Sequence, residues 1–134
     1  MTDPAVAIQT TRLANHIVVR VTGELDVFNA ATLTSDIEAA IPTQAHGAVI
    51  DLTGVGFLDS TAIRKLFGLA SRLAERRQRL QIVTPDGSTV RRTLQLVDFS
   101  RAAPMHVTLE DALAALETED GEAPGSGSPS ASGP

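Results

Sequence analysis

An α/β domain, with a mixed, mostly parallel sheet of four or five strands and four helices packed against it, is predicted by three features of the sequence. Strand-type and helix-type apolar patterns alternate along residues 6–116, the strand segments are short and β-branched, and the segments between them carry apolar residues at helical spacing. Such alternation builds right-handed crossovers and hence a parallel sheet, while an opening hairpin allows one antiparallel edge strand.

The elements follow in chain order. Val6 to Arg12 is the weakest strand candidate, whereas HIVVRVTGEL sets Ile17, Val19 and Val21 on one face of a strand and Val18 on the other. In AATLTSDIEAAI, Leu33, Ile37 and Ala40/Ile41 fall at helical spacing, and Pro42 stops the helix. GAVIDL reads as a short buried strand. From Thr61 to Arg77, Ile63, Leu66, Phe67, Ala70, Leu73 and Ala74 form the apolar stripe of a helix lying on a sheet. RLQIVT is the next strand, closed by the turn Pro85-Asp86-Gly87. A third helix runs from about Ser88 through Val90, Leu94 and Val97. The brief strand Met105 to Val107 then leads to Thr108-Leu109-Glu110-Asp111, which resembles a capping box with Asp in the Glu position and opens a fourth helix.

A length of 134 residues fits one domain, assigned to residues 1–116. Residues 117–134 carry four acids (Glu117, Glu119, Asp120, Glu122) and no base, then become Gly/Ser/Pro-rich, a composition that cannot repay the entropy of ordering. They read as a disordered tail. The net charge of −5 is mostly theirs, so the folded part is close to neutral and charge does not argue for nucleic acid or an anionic membrane. Aromatic content is 3%, with no Trp or Tyr, which argues against base-stacking nucleic-acid readers. The N-terminus lacks the regions of a signal peptide, and no apolar run approaches a membrane span, so the expected location is cytoplasmic.

Several chemistries are excluded by the residues present. No cysteine is available for thiolate catalysis or metal ligation. His16, His46 and His106 are widely separated, without a partner at metal-site spacing, so no metal or other cofactor is expected. Gly54-Val55-Gly56 follows a strand, but a dinucleotide fingerprint would need glycine where Asp59 stands. Asp51 and Asp59 as a catalytic carboxylate pair are explained more cheaply as a solvated strand end and a helix cap. No enzyme is expected. The second helix has a basic face (Arg64, Lys65, Arg72, Arg76, Arg77, with Arg79 just beyond), which reads first as a solvated face and second as a docking surface.

The most informative stretch is Asp51 to Ile63, where a strand ends, a glycine-containing connection follows, and Asp59-Ser60-Thr61 opens a helix. Two readings stand side by side. One is an N-cap contributing about 1 kcal/mol. The other is a hydroxyl set at the positive end of a helix, where a phosphate would be tolerated by the fold and yet would transform the surface.

This stretch, DLTGVGFLDSTAI, resembles the signature of the STAS domain, in particular that of the small single-domain anti-sigma factor antagonists. Gly23-Glu24-Leu25-Asp26-Val27-Phe28-Asn29-Ala30 is similar to a second segment of that family. The resemblance implies a protein that binds an anti-sigma factor, itself a serine/threonine-protein kinase, and so frees a sigma factor. The kinase would phosphorylate Thr61, with Ser60 as the alternative acceptor, and a metal-dependent serine/threonine phosphatase would reverse the modification. It further implies a partner-binding surface of Asp26, Asn29, Asp59, Ser60, Thr61, Ala62, Arg64 and Lys65, no direct nucleic-acid or membrane contact, and a monomer or weak dimer. The chain departs from the family pattern at Ala62, where glycine is usual, and at Arg64 and Lys65, where apolar or small residues are usual. From another functional class, the alternative is a non-phosphorylated scaffold that binds through Arg72, Arg76 and Arg77.

Overall fold

In the computed structural model, which describes residues 6–121, the chain opens as a hairpin. Strand β1 (Val6–Leu13) pairs antiparallel with β2 (His16–Leu25), in register from Val6 opposite Gly23 to Leu13 opposite His16. There follow α1 (Ala30–Ala40), β3 (Gly47–Leu58), α2 (Ser60–Glu75), β4 (Arg79–Val83), α3 (Thr89–Leu96), a 3₁₀ turn (Phe99–Arg101), β5 (Met105–His106) and α4 (Leu109–Gly121). Strands β2 to β5 are parallel, and the sheet order is β1-β2-β3-β4-β5. Residues 117–121, expected to begin the disordered tail, instead continue α4 to Gly121, and the rest of the expected tail, from residue 122 onward, lies outside the described residues.

This order determines where the helices sit. Each crossover from β2 onward adds its strand on the same side, so right-handed connections bring α1, α2 and α3 to one face. That face holds the main core: Ile17, Val19 and Val21 of β2 and Ile50 and Leu52 of β3 pack with Leu33, Ile37, Leu66, Leu69, Leu73 and Leu94 of the helices. Helix α4 connects no strands and covers the opposite face, where Ala112 and Leu116 meet Val18, Val49 and Val83. The alternation expected in β2 is therefore observed, with Val18 turned toward α4 and Ile17, Val19 and Val21 toward the main core. Thr108 accepts from the Asp111 amide (3.1 Å), as the capping pattern predicts.

Three sequence expectations are revised. First, the stripe of α2 is rotated: Ala62 and Leu69 are buried with Leu66, Ala70 and Leu73, while Ala74 is exposed. Small Ala62 allows the first helical turn to close directly on the sheet. Second, Asp51 is no solvated strand end. It is 3% exposed, accepts from Arg20 Nε (3.3 Å) and from the Thr53 amide (2.9 Å), and sits on the α4 side of the sheet. Burial of a carboxylate is tolerable only with such partners.

Third, residues 53–58 are strand, not a connection. Pairing with β2 runs from Arg20–Asp51 to Thr22–Gly54, then from Gly23–Val55 to Glu24–Phe57, so β3 carries an extra residue at each of two bulges. Gly54 is needed for close approach: a Cβ there would lie 2.7 Å from Thr22 Cγ2 and 3.2 Å from the Val21 carbonyl. At Gly56 a Cβ would meet nothing within 4 Å. Gly54→Ala is therefore expected to destabilise the domain by about 1–3 kcal/mol, as overpacking does. Gly56→Ala should stay within about 1 kcal/mol of wild type. Urea unfolding of the two variants checks the contrast; equal midpoints would disprove the close approach.

Candidate functional site

The bulged end of β3 delivers Asp59 to the start of α2, beside the loop that joins β2 to α1. Asp59 is extended (φ −91°, ψ 179°), as an N-cap requires, and its Oδ1 accepts from the Ala62 amide at 2.9 Å. Its Oδ2 accepts from the Val27 amide at 2.8 Å. Its own amide donates to the Leu25 carbonyl (3.1 Å), and its carbonyl accepts from the Ile63 amide (3.0 Å). One residue thus ties the C-terminal ends of β2 and β3, the β2–α1 loop and the start of α2 together.

The loop is closed by its own polar residues. Asp26 Oδ1 accepts from the Phe28 amide (2.9 Å) and the Asn29 amide (3.3 Å), while Asn29 Oδ1 accepts from the Asp26 amide (3.0 Å). Asn29 Nδ2 donates to the Glu24 carbonyl (3.0 Å). Asn and Asp favour such turns because their short side chains imitate backbone partners. The reciprocal pair leaves the loop few alternative conformations.

Asp26, Asn29, Asp59, Ser60 and Thr61 therefore share one end of the sheet. Ser60 is exposed and Thr61 half-buried, and among the described residues neither hydroxyl is engaged in a hydrogen bond. Both stand in the first turn of α2, where the helix dipole is most positive. Arg64 and Lys65 follow one turn along, both exposed. Ala62 departs from the expected surface: its side chain is fully buried, so only its amide, held by Asp59, takes part. Among the described residues no group of His, Asp and Glu could hold a metal ion, and no helix is long and apolar enough to cross a membrane.

The basic face of α2 is partly engaged within the chain. Arg72 Nε lies 2.7 Å from Glu38 Oε1 on α1, Arg76 lies 3.5 Å from Glu38 Oε2, and Arg76 also donates to the Ile41 carbonyl (3.0 Å). These pairs hold α1 against α2.

Val27, Phe28 and Phe57, which sequence reasoning did not include, border the same site and are exposed. No periodicity marked them: Val27 and Phe28 lie in a loop, and Phe57 shares the strand parity of the buried Val55 and is turned outward only by the bulge between Gly23 and Glu24.

Residues 7–112 match the STAS domain. The anti-sigma-F factor antagonist RsfB of Mycobacterium tuberculosis is 30% identical over 108 residues, 78% of this chain and 86% of that protein. The crystal structure of an anti-sigma factor antagonist from Mycobacterium paratuberculosis is similar with a TM-score of 0.75 at 28% identity, covering 87% of this chain and 99% of that one. SpoIIAA in its unphosphorylated form gives a TM-score of 0.61 at 20% identity, covering 86% and 99% of the two chains. The phosphorylated form from Bacillus gives 0.60 at 20% identity, over 82% and 99%. The SpoIIAA likeness is one of fold.

The geometry separates the two acceptors of Asp59. Asp59→Ala removes both and is expected to cost about 2 kcal/mol, whereas Asp59→Asn keeps the cap, cannot accept from Val27, and should cost about 1 kcal/mol. Urea unfolding measures both losses; an Asp59→Asn variant as stable as wild type would show that the Val27 bond contributes nothing, and equal costs for the two variants that the cap on Ala62 contributes nothing.

Proposed function

The chain belongs to the STAS domain family, and from that premise we propose that it is an anti-sigma factor antagonist whose partner binding is switched by phosphorylation at the start of α2. Unmodified, it binds an anti-sigma factor that is also a serine/threonine-protein kinase and thereby frees a sigma factor. The kinase phosphorylates Thr61, the position matching the family's acceptor, with the more exposed Ser60 as the alternative. A metal-dependent phosphatase restores the binding form. The protein itself is a non-enzymatic regulator.

The observation that carries this reading is the pair of unengaged hydroxyls beside a site already fixed by Asp59. A phosphate there adds about −1.5 to −2 charges. Free amides and the dipole of the first turn partly compensate it. Arg64 and Lys65, three and four residues beyond Thr61, stand at the spacing for pairing along a helix. The fold therefore tolerates the modification, and the SpoIIAA structures carry both states on this same architecture. At an interface the outcome differs, because a dianion beside Asp59 and Asp26 must be desolvated or must face partner charges of fixed sign.

The scaffold alternative finds less support. Arg72 and Arg76, two of the three cations it needs, are turned onto Glu38.

Thr61→Ala is expected to bind the anti-sigma factor constitutively in the presence of ATP, and Thr61→Glu to bind about a hundredfold more weakly, equivalent to about 3 kcal/mol. Titration calorimetry measures both, and mass spectrometry of the protein from its own cells locates the phosphate on Thr61 or Ser60. Indistinguishable affinities of wild type, Thr61→Ala and Thr61→Glu would reject the switch. A loss on Arg77→Ala with Thr61 inert would favour the scaffold.

A further inference from the structure

The four phenylalanines divide into two pairs. Phe67 and Phe99 meet in the core with ring centroids 4.7 Å apart and planes tilted by 56°. Phe28 is 91% exposed, in the loop that Asp59 holds through Val27, itself 57% exposed, and Phe57, two residues before Asp59, is 47% exposed. In a chain this poor in aromatics, Phe28 is the one of the four left almost wholly exposed among the described residues.

We propose that Phe28, with its exposed neighbour Val27, is the apolar anchor by which the anti-sigma factor grips this domain. The inference rests on the function proposed above and assigns affinity and switching to different residues of one surface. Phe28 is not the tip of a loose loop. Its amide is held by Asp26 Oδ1, its neighbour Val27 is held by Asp59 Oδ2, and Asn29 closes the turn through Asp26 and Glu24. An exposed ring on a pre-ordered loop loses little further backbone freedom on binding. Buried aromatics at interface centres are the residues that dominate binding energy.

The anchor is also tied to the switch: Asp59 holds both Val27, next to Phe28, and the first turn of α2, which carries Thr61, so the two belong to one hydrogen-bonded frame. Phosphate on Thr61 would then stand at the margin of a desolvated apolar patch, where an unpaired dianion is most costly. The partner surface that fits is an apolar pocket for the ring, rimmed by donors or cations facing Glu24 and Asp26. Leu96 on α3 is also exposed, at 80%, but no hydrogen bond described above ties its element to Asp59.

The test uses the full chain and each anti-sigma factor of the source genome, purified individually, in titration calorimetry at low and high salt. Phe28→Ala is expected to weaken binding 10- to 100-fold at both salt concentrations, with an unchanged Tm, and Phe28→Leu to recover most of the loss. The penalty of Thr61→Glu should shrink as salt rises, because it is electrostatic. Leu96→Ala should bind as wild type. Wild-type affinity of Phe28→Ala alongside weak binding of Thr61→Glu would overturn the anchor and leave the function standing. Failure of the wild type to bind any anti-sigma factor would overturn the function and the anchor with it. Self-association of wild type in sedimentation, abolished by Phe28→Ala, would identify a second copy as the occupant and likewise overturn the proposal.

Discussion

The carboxylate of Asp59, divided between the amides of Ala62 and Val27, is the constraint on which the surface depends. A cap by itself needs only one oxygen. The second reaches across to a loop 32 residues earlier in the chain and gives the start of α2 and the β2–α1 loop one common reference point. Because the acceptor is ionised and lies at the positive end of a helix, both bonds are of the stronger, charge-assisted kind. Without this side chain the loop and the helix would still form, each from its own local signals, but their relative position would rest on the backbone pairing of β2 with β3 and the packing beneath them.

That packing follows from topology. Successive parallel strands added on one side send α1, α2 and α3 to the same face, so the loop after β2 and the loop after β3 emerge as neighbours at the same end of the sheet. The two bulges in β3 lengthen that strand to reach Asp59, and Gly54 permits β2 to lie close where the strand bends. Helix α4 closes the opposite face without entering this end of the molecule's polar network. The fold therefore presents two short, separately encoded segments as one surface.

Much of this was legible in residue pattern. The β-branched alternation of Ile17 to Val21, the stop at Pro42, the turn at Pro85-Asp86-Gly87 and the cap at Asp59 are local signals, and each appears where its chemistry places it. What escaped was long-range. Two glycines after a strand read as a connection because a bulge depends on the partner strand, which a single segment does not reveal. Asp51 read as solvated because its burial depends on Arg20, 31 residues away. The stripe of α2 was rotated because its first turn meets the ends of β2 and β3 rather than the sheet's middle. Phe28 had no periodicity to mark it, and its 91% exposure among the described residues appears only in the structure.

A partner that is also the modifying enzyme imposes conflicting demands on one surface. It must hold the domain long enough for the phosphoryl group to be transferred, and it must let go afterwards. If the hydroxyl itself supplied the affinity, any weakening strong enough to release the product would also weaken the encounter with the substrate. Separating the tasks removes the conflict: an apolar anchor that carries no titratable group keeps its contribution in both states, while the charge added at the helix start is felt only when the interface closes. The separation works only on a rigid frame, since a loop free to move would carry the anchor away from the phosphate and relieve the repulsion. The second oxygen of Asp59 supplies that rigidity, and for this reason the cap and the proposed switch, which the sequence offers as competing readings of one motif, would operate as parts of one device.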